Sequence, residues 1–276
     1  MEIEFASLDD TVARFTLSGA KPGFANAFRR AMIGEVPTLA IEEVRIYDNT
    51  SALFDEMLAH RLGLIPIRTD LTSYSTQEDC SCGGAGCPSC TVTYTLSVEG
   101  PKLVTSSDLI PQDPQAAPVS DNIPIVKLIK GQKLVIEARA VLNKGKVHAK
   151  WQPTLVCGYK NHPVITISPA CDACGMCVDE CPRSILAVRG KKVEVIEGKL
   201  PDCSMCRLCE RACMASGIGE EPAIKISAAP DRYIFAVESD GSLSTREIMV
   251  QALRFIQAQA DELEKQTSEI SGEEKK

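Results

Sequence analysis

The sequence predicts an α+β protein of more than one domain, on three observations. Alternating apolar and polar runs sit beside helix-period runs near both ends of the chain. A long middle stretch is mostly strand-like, and two cysteine tetrads displaced by 32 residues form an internal repeat. With 276 residues and 44% hydrophobic content, the chain can fill one large core or two to three small ones.

Taken in order, residues 1–19 alternate as a strand pair, with Ile3, Phe5, Val12, Phe15 and Leu17 as inward candidates. "KPGFANAFRRAMIGEVP" reads as a helix, with Pro22 near its first turn and Pro37 beyond its end. Phe24, Phe28, Ala31 and Met32 share one face of it. "TLAIEEVRIYDN" reads as a strand, and "ALFDEMLAHRLGLIPI" as a helix ended by Gly63 and Pro66. From Asp70 to Trp151 the segments are strand-like, broken by a cysteine loop at 80–90 and by "IPQDPQAAP", which must be loop. "ILAVRGKKVEVI" predicts a hairpin turning at Arg189 and Gly190.

Near the C-terminus "RYIFAVES" reads as a strand, "DGS" as a turn and "STREIMVQALRFIQAQADELEKQ" as a long helix. Ser244 and Glu247 have capping-box spacing. Ile248, Met249, Ala252, Leu253, Phe255, Ile256, Ala260 and Leu263 sweep an apolar arc wider than the roughly 100° one core needs, so a second surface is expected to pack there. The last residues, 267–276, are polar and expected to be disordered.

Charge and composition exclude several classes. Thirty Lys and Arg against 37 Asp and Glu give a net charge of -7, which offers no general attraction to nucleic acid or anionic lipid. No run approaches the roughly 20 apolar residues of a membrane span, and Met1 leads into a polar, acidic segment, so a cytoplasmic protein is expected. Thirteen cysteines, twelve of them in three tight tetrads, suit metal ligation in a reducing compartment better than disulfides. No dinucleotide turn, Walker loop or Asp-rich two-metal cluster occurs, and the three histidines, His60, His148 and His162, have no neighbouring cysteine nucleophile. No catalytic residue is therefore expected in this chain.

Cys171, Cys174, Cys177 and Cys181, followed by Pro182, have the C-x2-C-x2-C-x3-C-P spacing of two-cluster ferredoxins, and Cys203, Cys206, Cys209 and Cys213 repeat it. Met214 stands where the second proline would be. Because the fourth cysteine of each run serves the other cluster, two 4Fe-4S clusters are expected, one on Cys171, Cys174, Cys177 and Cys213, the other on Cys203, Cys206, Cys209 and Cys181. Paired structural zinc sites would need a different spacing. In "CSCGGAGCPSC" the glycines let Cys80, Cys82, Cys87 and Cys90 close on one small tetrahedral ion, and zinc is the preferred occupant over a flexible or oxidised loop. Cys157 stands alone and reads as a small buried apolar residue.

Outside the cysteines the chain resembles a family of polymerase subunits. "NAFRRAMIGEVPTLAIEEVRIYDNTSALFDEMLAHRLGLIPI", "VHAKWQP" and the helix from Ser244 are similar to the D subunit of archaeal DNA-directed RNA polymerase, the counterpart of bacterial alpha and of the third-largest eukaryotic subunit. The resemblance implies a discontinuous dimerisation domain (1–49 with 154–167 and 225–266), an inserted mostly-β domain (50–153) carrying the cysteine loop, and a ferredoxin-like domain with two iron-sulfur clusters (168–224). It implies a non-catalytic assembly platform that pairs with the L subunit, then docks the N and P subunits and the large, second-largest B subunit, with clusters that stabilise or regulate assembly. Phe24, Phe28, Arg29, Arg30, Met32, Leu253, Phe255 and Ile256 are the interface candidates it implies. A ferredoxin-type electron-transfer protein or oxidoreductase subunit is the alternative; it accounts for the clusters but not for the rest of the chain.

Overall fold

The computed structural model describes residues 1–215 and 221–271, the side chains of 270 and 271 excepted. Its elements are, in chain order, strands β1 (Glu2–Leu8) and β2 (Val12–Ser18), helix α1 (Pro22–Gly34), strand β3 (Pro37–Asn49), helix α2 (Asp55–Gly63) and strands β4 (Thr91–Glu99), β5 (Lys102–Thr105), β6 (Ile110–Pro111), β7 (Pro124–Leu128), β8 (Lys133–Lys144) and β9 (Thr154–Ile167). There follow helix α3 (Met176–Asp179), hairpin strands β10 (Leu186–Arg189) and β11 (Lys192–Val195), helix α4 (Leu208–Ala215), strand β12 (Ile224–Ser239) and helix α5 (Thr245–Ser271). The mixed α+β reading holds.

Two compact units make up the chain: 1–6, 15–25 and 159–235 in one, and 7–14, 26–158 and 236–276 in the other. The segment 168–224 lies within the first unit, and 50–153 within the second. No helix among the described residues is long and apolar enough to cross a membrane.

In the second unit the sheet order is β3-β8-β4-β6, antiparallel throughout. Alternation drives it: Leu134, Ile136, Ala138 and Ala140 of β8 are buried, as are Val92, Tyr94 and Leu96 of β4. Helix α2 covers this face through Leu58 and Leu62, one turn apart and both 0% exposed. Asp55 and Glu56 in its first turn and His60 and Arg61 in its last complement the helix dipole. The Pro-rich segment is less irregular than expected: Ile110–Pro111 pair with β4, Pro114–Ala116 form a 3-10 turn, and the Tyr94 hydroxyl donates to the Ala116 carbonyl at 2.6 Å. Trp151 is buried and donates its indole N–H to the Val141 carbonyl at 3.1 Å.

Gly145 marks a close approach in this unit. A Cβ there would lie 2.3 Å from the Ile33 carbonyl oxygen and 2.7 Å from Cγ of Gln152. Gly145→Ala is expected to destabilise the unit by about 1–3 kcal/mol. An unchanged urea midpoint would contradict that packing.

Most of the other sheet, ordered β1-β2-β12-β9, belongs to the first unit. Phe15 and Phe235 stack there at 4.9 Å between ring centroids, with Tyr159 beside Phe235. Two inward candidates need correction. Ile3 and Phe5 are exposed, at 41% and 44%, because β1 is the edge strand of this sheet. The hairpin turns at Gly190 and Lys191, one residue later than expected, since Arg189 pairs with Lys192. The small core of the cysteine-rich segment joins Ile185, Leu186, Val193, Ile224 and Ile226 to Cys177, Cys203 and Cys209.

Helix α5 starts where the capping serine predicted, with the Glu247 N–H donating to Ser244 Oγ at 3.2 Å. It runs on through Ser271, over the first five residues of the expected disordered tail. The rest of that tail, 272–276, lies outside the described residues, as do 216–220 of the cysteine-rich segment.

Candidate metal centres

The loop before β4 brings Cys80, Cys82, Cys87 and Cys90 together. All four sulfurs lie within 4.8 Å of one another, close enough to share one ion. Three of the six Sγ–Sγ distances are 3.5 Å for Cys80–Cys87, 3.6 Å for Cys82–Cys90 and 3.9 Å for Cys87–Cys90. Gly83, Gly84 and Gly86 all take positive φ, which glycine adopts without the Cβ clash, and this lets eleven residues close on a single point. The Cys87 carbonyl accepts from the N–H groups of Cys90 and Thr91, both at 2.9 Å, tying the loop to the start of β4. The Cys82 thiol is pulled down to about 6 by hydrogen bonding to Cys80 and to the Gly86 N–H, while burial pushes Cys90 up to about 12. Hydrogen bonding, first from the Cys82 N–H, lowers the Cys80 thiol as well, so two of the four are biased toward the thiolate form that a metal ion binds.

The other eight thiols line two separate cavities. Cys171, Cys174, Cys177 and Cys213 face one, with Ile167 and Ile224. Cys181, Cys203, Cys206 and Cys209 face the other, with Ile185 and Ile226. Each of these cavities is lined by three cysteines of one run and the fourth of the other.

Backbone geometry repeats between the two runs. Ala173 and Met205, 32 residues apart, have φ of 62° and 54°; Gly175 and Arg207, again 32 apart, have 84° and 59°. Three of these four are not glycine, so each carries a left-handed strain. The conformation alternates handedness along each C-x2-C-x2-C stretch, and such alternation turns successive N–H groups to one side, where they stabilise negative charge. Short helices α3 and α4 follow in equivalent places, carrying Cys177 and Cys209. Burial raises both thiols to about 11, with neighbouring cysteines adding to the rise. The Cys206 thiol is lowered, first by the Leu208 N–H, with Arg211 contributing. Four thiols, converging N–H groups and an apolar wall suit an anionic iron-sulfur cluster.

Sequence reasoning missed several contributors. Lys160 of β9 donates to the Cys203 carbonyl at 3.0 Å, the Asp172 carboxylate accepts from the Cys174 N–H at 3.1 Å, and the Ala223 N–H donates to Cys213 Sγ at 3.2 Å. No motif marks Lys160. Only the 32-residue repeat, with Gly175 as its visible member, could have signalled the left-handed positions. Cys157 is half-buried and donates to the Arg29 carbonyl at 3.8 Å; burial pushes its thiol up to about 12.

The interface candidates separate. Phe28 and Met32 are 1% and 0% exposed, so they fill this chain's own interior and have no surface to offer a partner. Phe24 is half-buried. Arg29, Arg30, Phe255 and Ile256 line one open groove with Glu35 and Lys146. On α5, Ile248, Met249 and Ala252 are buried, whereas Val250, Leu253 and Leu263 are 40%, 37% and 65% exposed. The arc is thus buried at its centre and open at Leu253 on one margin and at Leu263 further along the helix.

Comparison with known proteins adds the following. Residues 44–156 match the RNA polymerase Rpb3/RpoA insert domain. DNA-directed RNA polymerase subunit Rpo3 of Methanosarcina acetivorans is 48% identical over 264 residues, covering 95% of this chain and 97% of that protein. The Rpo3 subunit of Archaeoglobus fulgidus is 43% identical over 269 residues, 98% of each chain, and that of Methanopyrus kandleri 36% identical over 273 residues, 98% of this chain and 97% of the relative.

Proposed function

Because the chain belongs to the Rpo3 family of archaeal DNA-directed RNA polymerase subunits, we propose that it is a cluster-bearing assembly platform that pairs with the L subunit and then receives the N and P subunits and the large B subunit. It is a non-catalytic subunit of that polymerase. Identity over almost the full length of both chains is the observation that carries this reading. Its setting is the cytoplasm, and its domains are a discontinuous dimerisation domain (1–49, 154–167, 225–266), an insert (50–153) and a ferredoxin-like domain (168–224).

Pairing with L would cover α5 at Leu253, Phe255 and Ile256. The exposed Leu253, with Phe255 and Ile256 half-buried, and the exposed Ile3 and Phe5 of the edge strand β1 support a partner on these surfaces. Arg29 and Arg30, in the groove with Phe255, are assigned to acidic or carbonyl groups of a larger subunit.

Two 4Fe-4S clusters are assigned to the two four-thiol cavities and one zinc to Cys80, Cys82, Cys87 and Cys90. The zinc assignment rests on size. A tetrahedral ion with Zn–S bonds of about 2.3 Å spaces its sulfurs about 3.8 Å apart, near the 3.5, 3.6 and 3.9 Å of three of the loop's six sulfur pairs, the rest lying within 4.8 Å. A cubane spreads its four thiolates wider than one ion does. Metal analysis of the anaerobically purified chain tests this: about eight iron and one zinc are expected per chain. Cys82→Ser with Cys87→Ser should remove the zinc and leave the iron. Zinc retained in that variant, or iron lost with it, would overturn the assignment.

A further inference from the structure

On the reading that both thiol cavities hold 4Fe-4S clusters, we infer that the two clusters are electrostatically unequal, and that the cluster on Cys181, Cys203, Cys206 and Cys209 accepts an electron before the cluster on Cys171, Cys174, Cys177 and Cys213. The internal repeat makes the comparison a controlled one. Each run supplies an exposed second cysteine, Cys174 or Cys206, a buried third, Cys177 or Cys209, and a half-buried fourth, Cys181 or Cys213. The left-handed backbone positions repeat as well. Hydration and backbone dipoles therefore act almost equally on the two sites, and side-chain charge is left to separate them.

The best-placed charges differ in sign. Asp172 follows Cys171, and no base stands between Cys171 and Cys177; Asp179 and Glu180 precede Cys181, a ligand of the second cluster, and as exposed carboxylates they offset part of the positive charge there. Asp172 lines the first cavity and is held against the Cys174 N–H. Arg207 stands between Cys206 and Cys209 of the second cluster, with Glu210 3.8 Å from its Nε, and Arg211 lies between Cys209 and Cys213, so it is shared between the two clusters. Arg183 lines the second cavity, and Lys160 donates to the Cys203 carbonyl at 3.0 Å.

These contributions are not equal. Arg183, Arg207 and Arg211 are exposed, so water and salt screen them. Lys160 is half-buried and fixed on the backbone of a ligand residue, where the effective dielectric is lower. It is the principal positioning charge. A further difference works the other way: Cys203 is buried where its counterpart Cys171 is half-buried, and burial disfavours added negative charge. That opposing difference concerns one ligand of four, and Lys160 sits on that same residue. Reduction adds one electron to a cluster already negative with its four thiolates, and no bond forms or breaks. A low-potential one-electron donor supplies it, so the nearby cation favours the reduced state.

The test is a potentiometric titration of the anaerobically reconstituted full chain with dithionite, followed by electron paramagnetic resonance. Cys174→Ser and Cys206→Ser variants assign each signal to its cluster. Iron and acid-labile sulfide are measured first; values far below about eight each per chain would overturn the cluster reading and this inference with it. With both clusters present, the reduced-to-oxidised ratio at a common potential is expected to be at least tenfold higher for the second cluster, a separation of about 59 mV for a one-electron couple. Lys160→Gln should lower the second potential and leave the first unmoved. Asp172→Asn, at an exposed position that spares the fold, should raise the first and narrow the gap. Equal or reversed potentials, or substitutions that shift both clusters alike, would overturn the inference while leaving the clusters themselves in place.

Discussion

Replacing Leu253 and Phe255 together by aspartate is expected to weaken pairing with the L subunit by at least about 100-fold, since two carboxylates would have to be buried without partners in an apolar contact. The residues are chosen because they flank the buried centre of the apolar arc of α5: Leu253 is 37% exposed and Phe255 half-buried, while Ile248 and Ala252 between them are fully buried. Substitutions at these margins should leave the chain's own unfolding midpoint nearly unchanged, which separates lost binding from lost folding. Co-purification of the double variant with L at wild-type stoichiometry would show that the pairing surface lies elsewhere.

Removing one ligand from each run, Cys171→Ser with Cys203→Ser, is expected to open the cysteine-rich segment to protease while leaving the pairing with L intact. Metal ligation supplies folding energy when ligands come from separate stretches of chain, and here each four-thiol set joins both runs. The segment's own core is small: Ile185, Leu186, Val193, Ile224 and Ile226, completed by cysteines. So few apolar side chains cannot hold a fold of this length without the clusters. Cuts should fall within 168–224 and spare the insert. Full protease resistance would mean that the clusters are dispensable to the fold, and cuts throughout the chain would mean that their loss spreads beyond this segment.

Periodicity made most of the elements legible. The strand pair at the start, the helix bounded by Pro22 and Pro37, the helix ending at Gly63 and the long C-terminal helix behind Ser244 all stand where local signals put them. Local signals failed where tertiary position decides. Ile3 and Phe5 alternate like core residues but lie on an edge strand, whereas Phe28 and Met32, which share an apolar helix face and are interface candidates only through the resemblance, are buried. Helix α5 continues past Thr267 through a polar stretch that composition alone reads as unstructured.

At the cysteine sites the two-run spacing supplies an expectation of crossed ligand sets, and the two cavities are each lined by cysteines of both runs. Their surroundings were not legible. Lys160 reaches Cys203 across 43 positions of sequence, and left-handed conformations at Ala173, Met205 and Arg207 contradict what those residue types prefer. Interactions that distant, and strain imposed by a site on unwilling residues, leave no pattern in a single chain.

Anaerobic affinity purification of the tagged chain from native extract, with mass spectrometry of what it carries, tests the central claim most directly. Stoichiometric recovery of the L subunit with the large polymerase subunits is the predicted result. Recovery of flavoproteins or dehydrogenases without polymerase would contradict it and mark the chain as an electron-transfer protein.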